Sequence, residues 1–261
     1  MTYSDKPLPT SQGIVMSLEG MEKTGKTWLA LSSLPEPVVY VNCDRDNSRI
    51  INRLRKGGRR ILTGEQHLFV PQPADDILRQ RDQEAMNAVA LRALKPWKAF
   101  KVDYLEALAD PNVRSVVADS GTRAYLMCRL GRFGKLLEVA PVLYSKTNYE
   151  FANLLQIAHA SGKVVVWINR IGEEFKPAMD NQGRDISNKT GAMKTLGYRE
   201  FNFEMDAVVR TSITKSGDFK AVIHREGVGS PDALGMDFSG DDLNMANILA
   251  ALTRTKKEKW Q

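Results

Sequence analysis

The chain has 261 residues, 43% hydrophobic and 26% charged, with a formal charge of +6, which describes a globular protein of one large or two small domains. No run approaches about eighteen apolar residues, so no membrane span is expected, and the opening MTYSDKPLPTSQG lacks the apolar stretch of a secretory signal. Two cysteines, Cys43 and Cys128, with three scattered histidines argue against a disulfide framework or a zinc site and fit a reducing, cytoplasmic setting.

In chain order, residues 1–12 read as an extension. Ile14 to Leu18 is a short apolar run predicted to be a buried strand. A glycine-containing loop follows, then a helix over Thr27 to Leu34 that Pro35 and Pro37 end. Val38 to Val41 is a second strand. Arg49 to Arg60, RIINRLRKGGRR, carries six cations and no acid, and Ile50 to Lys56 within it reads as a basic helix closed by Gly57 and Gly58. Ile61 to Val70 is expected to supply a strand or two. Residues 74–94 keep a rough helical rhythm through Ile77, Ala85, Met86, Val89 and Ala90. Pro96 is expected to break that helix, and a second one covers Trp97 to Leu108.

Arg114 to Asp119 is an apolar strand ending in a carboxylate. A helix from Gly121 to Leu130 follows, inside an acid-free run holding Arg123, Arg129, Arg132 and Lys135. A long helix from Ser145 to Ala160 is capped near Gly162, and Lys163 to Asn169 is the next buried strand. Residues 172–197, polar and glycine-rich, are expected to form a functional or mobile loop. Phe203 to Thr214 and Phe219 to Arg225 flank the turn KSGD and read as a hairpin. A helix over Asp241 to Leu252 and a basic tail, 254–261, end the chain. Strands alternating with helices imply an α/β fold over 13–253, a mainly parallel sheet with an antiparallel hairpin extension and a helical insertion at 74–110.

The segment Gly20-Met21-Glu22-Lys23-Thr24-Gly25-Lys26-Thr27 matches G-x-x-x-x-G-K-[ST] in full, between an apolar strand and a helix. Glycines there let backbone N–H groups surround phosphate oxygens, Lys26 reaches the β- and γ-phosphates, and the Thr27 hydroxyl ligates Mg²⁺. The contacting stretch is taken to run on to Trp28, and the implied ligands are ATP and Mg²⁺. Asp119 is the candidate second carboxylate of the metal shell; its alternative is a helix N-cap, a task Ser120 would also serve. Asp44 and Asp46 follow the second strand and are candidates to activate water, or else turn-formers, with Glu22 a further carboxylate nearby. Asn169 and Arg170 end their strand where a γ-phosphate sensor could sit, or are a solvated strand end.

Taken as an ordered set, GMEKTGKT, VVYVNCD, VVADS, VVVWINRI, GAMKTLGYREFNFEMDAVVR and FKAVIHR resemble the RecA-type recombinase core, and more closely the small phage ATPases of that type linked to single-strand annealing. The resemblance spans about Gly13 to Arg225. It implies a RecA-like P-loop NTPase fold, Asp44 as the catalytic carboxylate where a glutamate is usual, and Asp119 as the Mg²⁺-associated aspartate. Arg170 falls where a glutamine commonly senses the γ-phosphate. Two DNA-binding loops are implied, at Gly131 to Leu143 and Gly172 to Gly197, with Arg132, Lys135, Lys176, Arg184, Lys189 and Lys194 as their cations and Phe133 and Phe175 as their aromatics. Arg225 corresponds to a cation that a neighbouring subunit sends to the phosphates. The implied activity is ATP hydrolysis cycling single-stranded-DNA binding in recombination, annealing or replication, by a filament or ring, with a single-strand-binding or other replication protein as a further partner. The alternatives are an ATPase acting on a protein, such as a loader or assembly factor, then a kinase, and a pseudo-enzyme that binds nucleotide only.

Overall fold

Ile14, Met16 and Leu18 alternate with Val15, Ser17 and Glu19 along the first strand, and all six are buried. A strand points successive side chains to opposite faces, so a strand buried throughout must be covered on both. The computed structural model of the chain describes residues 13–73, 75–78, 81–179 and 185–261, and it has that layered form. Helices α1 (Lys26–Ser33), α2 (Ser48–Lys56) and α6 (Met245–Thr253) share one core with Ile14, Met16, Leu18, Val166 and Val209. Helices α3 (Gln83–Ala109), α4 (Gly121–Phe133) and α5 (Tyr144–Ala160) share the other with Val15, Val116, Val165, Trp167 and Val208.

The described residues hold nine strands: β1 (Ile14–Gly20), β2 (Val38–Asn42), β3 (Ile61–Thr63), β4 (Ser115–Asp119), β5 (Val164–Met179), β6 (Asp185–Thr195), β7 (Ala207–Ile213), β8 (Phe219–Glu226) and β9 (Asp237–Ser239). The order is β3-β2-β4-β5-β1-β7-β8-β9, with β6 paired to β5 beyond it. From β3 to β7 all neighbours are parallel; β7, β8 and β9 are antiparallel. The fold is thus α/β, as expected. Register aligns the carboxyl ends: Asn42 lies opposite Asp119, Asp119 opposite Ile168, and Gly20 opposite Arg170. Parallel strands that end together make a crevice at that edge. Among the described residues no helix is long and apolar enough to cross a membrane.

Four expectations change. Pro96 does not break the helix: α3 runs through it, because Ala93, Trp97, Phe100 and Tyr104, on both sides of the proline, are buried together. Packing outweighs the one hydrogen bond that a proline removes. The same helix starts only at Gln83, capped by the Asp82 side chain accepting from the Ala85 N–H at 3.0 Å. Ahead of it, Asp75 and Asp76 bond local N–H groups of Gln72 (2.7 Å) and Leu78 (3.3 Å), competing with helix. Over Ile61 to Val70 only Ile61–Thr63 is a strand.

The segment 172–197 is not an unstructured loop among its described residues. It is an antiparallel ribbon in which β5 runs on past the sheet and pairs with β6, with a register shift between Glu173 and Phe175. Sequence alternation could not announce it, because a ribbon with charge on both faces has no hydrophobic period. The basic tail, 254–261, packs onto the fold. Trp260 is buried with α6, and its Nε1 donates to Thr255 Oγ1 at 2.8 Å.

At the centre of the second core, Trp167 is fully buried, and its Nε1 donates to the Tyr104 hydroxyl at 3.0 Å. Trp167→Ala is expected to destabilise the fold by about 3–5 kcal/mol, read as a lower urea midpoint at unchanged slope. A loss under about 1 kcal/mol would contradict this packing.

Candidate functional site

At the carboxyl end of β1 the chain turns through Met21 to Gly25 and enters α1 at Lys26. Two glycines make that turn feasible. Gly20 has no room for a Cβ, which would press on the Thr24 and Thr211 hydroxyls. Gly25 has φ +81°, and a Cβ there would stand 3.1 Å from the Phe219 ring. No side chain caps α1 and no acid sits in its first turn, so its N-terminal N–H groups and positive dipole end face the crevice. Lys26 is 9% exposed, and its ammonium donates to Gly20 O (2.9 Å), to Met21 O and to Thr24 Oγ1 (3.4 Å). Burial pulls its pKa down, while Asp119 opposes that shift.

Asp119, at the end of β4, is the deepest acid of the cluster. Its Oδ2 accepts from Thr27 Oγ1 at 2.8 Å, from the Tyr40 hydroxyl at 2.9 Å and from Asn47 Nδ2 at 3.4 Å. Desolvation pushes its carboxyl up to about 6, against the Thr27 and Tyr40 hydrogen bonds. Ser120, not Asp119, caps α4, accepting from the Arg123 N–H at 3.3 Å. Tyr40 and Asn47 were invisible as site residues: Tyr40 reads as one more apolar position of a strand, and Asn47 as loop.

Asp44 follows β2 and is clamped by an arginine. Arg170 Nη2 donates to both Asp44 oxygens, at 2.8 and 3.0 Å, while its Nη1 donates to Glu22 of the loop at 2.9 Å. Burial raises the Asp44 pKa, but the Arg170 hydrogen bond and charge outweigh it and the net shift is downward. Arg123 lies 3.8 Å from the same carboxylate. Asp46 is separate: it is exposed and bonds the Ser48 N–H and hydroxyl at 2.8 and 2.9 Å, a local helix-start contact. Asn169 is also separate, buried at 1% and donating to Ser17 Oγ at 2.9 Å.

The remaining sequence candidates do not join this cluster. β8 runs antiparallel to β7, so Arg225 lies in register with Val208, at the opposite sheet edge from the loop, with its guanidinium 4.8 Å from the Phe203 ring centre. Arg132 ends α4 and approaches Glu150 at 3.5 Å, with Lys135 just beyond the helix. Lys176, Lys189 and Lys194 are on the ribbon, Lys189 paired with Glu173 at 2.6 Å. Arg184 falls outside the described residues.

One buried acid escaped the sequence reading. Glu19, immediately before the loop, is wholly buried, pairs with Arg210 at 3.1 Å and accepts from the Thr195 hydroxyl at the end of β6. Its signal was there: a glutamate inside the apolar run IVMSLEG. Together the loop, Asp44, Asp119 and Arg170 line one cleft of about 730 Å³, whose outer wall adds Trp28, Ile50, Arg53, Phe219 and Leu243. Compared with protein-family models and with curated proteins, the chain matches none. The chemistry of the cleft therefore rests on its own atoms: a cationic, N–H-lined floor beside buried hard-oxygen donors, suited to a polyanion carrying a divalent cation.

The raised Asp119 pKa has a stability consequence. Its ordinary value is 3.8 and its folded value about 6, so the ionised group opposes folding. That penalty is absent below about pH 4, grows through pH 6 and persists above. Asp119→Asn is expected to raise urea stability by about 1–2 kcal/mol at pH 7.5 and by much less at pH 4. An equal effect at both values would contradict the assignment.

Proposed function

We propose that this chain is a Mg²⁺-dependent ATPase of the RecA-like P-loop type that binds single-stranded DNA in recombination, annealing or replication. The observation that carries it is the 2.8 Å bond from the Thr27 hydroxyl to Asp119, at the mouth of a glycine-flanked loop whose lysine begins a helix. The order of the sheet and the shared strand edge support the same reading. The donor set fits the ion: a hydroxyl and a carboxylate are hard ligands, and Mg²⁺ is commonly held by one or two protein oxygens plus phosphates and water. When bound, the ion supplies charge neutralisation at the phosphate oxygens.

The residues then take these parts. Loop N–H groups and the α1 dipole bind the phosphates, and Lys26 transfers its donors from loop carbonyls to phosphate oxygens. Asp44, ionised under Arg170, orients a water and takes its proton. Arg170 also contacts Glu22, so a change of charge at the loop reaches the ribbon that begins just beyond it. The ribbon's Lys176, Lys189 and Lys194, with half-exposed Phe175, would meet nucleic-acid phosphates and bases. Arg225, turned away from its own loop, is assigned to a neighbouring copy's site in a filament or ring.

Hydrolysis measured with and without single-stranded DNA tests both halves. Stimulation by DNA, steeply reduced by salt, and a loss of at least about 100-fold in Lys26→Ala are expected. Asp44→Asn should bind nucleotide yet turn over about 100-fold more slowly, whereas Asp46→Asn should stay near wild type. Turnover indifferent to DNA but raised by a protein partner would favour an ATPase acting on proteins. Wild-type turnover in Lys26→Ala would end the ATPase reading.

A further inference from the structure

The outer wall of the cleft differs in kind from its floor. Trp28, in the first turn of α1, is 40% exposed, whereas the chain's other tryptophans, Trp97, Trp167 and Trp260, are buried. The Arg53 guanidinium lies over the Trp28 ring, 5.1 Å from its centre. Phe219, 47% exposed, stands at the other side of the loop with its ring against Gly25. Ile50 and Leu243 complete an apolar rim. Two exposed aromatic rings beside a phosphate-binding loop, in one continuous cleft, offer flat surfaces where a planar ring joined to the phosphates would lie.

Several side-chain donors of this wall are engaged within the fold. Arg53 is held over Trp28, and Lys220 pairs with Asp237. Asn47 donates to Tyr40 and Asp119, and Thr211 bonds Thr24 and the Glu19 carbonyl. Among the described residues of this wall, the side-chain donors of Asn47, Arg53 and Lys220 are thus committed to neighbouring groups of the fold. Stacking is tolerant because every base has a π-face, and strong discrimination between similar ligands needs buried groups that the wrong ligand leaves unpaired.

We infer that Trp28 and Phe219 form a stacking subsite for the nucleobase, and that this site accepts adenine and guanine nucleotides alike. The inference rests on the phosphate-loop reading above and deepens it. Trp28 supplies the main face, stiffened by Arg53, and Phe219 closes the other side. Selection among nucleotides then falls on the phosphates, read by Lys26 and Thr27, not on the base.

The test is titration of the full chain with MgATP, MgGTP and magnesium tripolyphosphate, followed by calorimetry and tryptophan emission. ATP and GTP should bind within about threefold of each other and quench emission, since stacking involves the one exposed tryptophan. Tripolyphosphate should bind about tenfold or more weakly and leave emission unchanged. Trp28→Ala should weaken ATP and GTP about tenfold while sparing tripolyphosphate, Trp28→Phe should restore most of that loss, and Phe219→Ala should weaken both nucleotides to a smaller degree. Tripolyphosphate binding as tightly as ATP, or a preference above about 100-fold for one purine, would overturn the subsite alone. Failure to bind any of the three would overturn the phosphate-loop reading and this one with it.

Discussion

A buried carboxylate that must be neutralised or paired organises this fold. Asp119 is carried into the crevice by β4, loses its water, and is left with a hydroxyl from Thr27 and a phenol from Tyr40. Those bonds join three elements that are remote in sequence: the helix after the loop, the second strand and the fourth. Neutral donors compensate an ionised carboxylate only in part, which is why its pKa rises to about 6. In the proposed function, a divalent cation beside Asp119 would reverse that balance.

Around this acid the charges are arranged in a second layer. Arg170 bridges Asp44 and Glu22, and Glu19 bridges Arg210 and Thr195. Arg170 begins the projecting half of β5, and Thr195 ends β6. The ribbon is therefore anchored at both of its roots to groups that flank the glycine loop at residues 20–27. Any change in the charge around Glu22 alters the partners of Arg170, so the two regions share electrostatic contacts.

Much of this was legible in the sequence, for identifiable reasons. The glycine spacing with Lys26 and Thr27 encodes a backbone shape, and the apolar runs ending at Gly20, Asn42, Asp119 and Asn169 encode parallel strands whose ends coincide. What escaped was decided by tertiary packing. Pro96 looked like a helix end, but Val89 and Ala93 before it and Trp97 and Phe100 after it are locked into one core. The ribbon at 172–197 hid because neither of its faces is apolar. Tyr40 was one more apolar position in a strand, and nothing in its neighbours announces that its hydroxyl meets Asp119.

In the proposed function, residues 20–27 receive the phosphates, with Thr27 and Asp119 beside the metal and Trp28 beside the base. Amide hydrogen exchange of the full chain, with and without magnesium and a slowly hydrolysed ATP analogue, addresses it directly. Slowed exchange is expected to centre on Gly20 to Trp28 and around Asp119, to depend on magnesium and to be absent in Lys26→Ala. Protection that appears elsewhere while Gly20 to Trp28 is unchanged would contradict it.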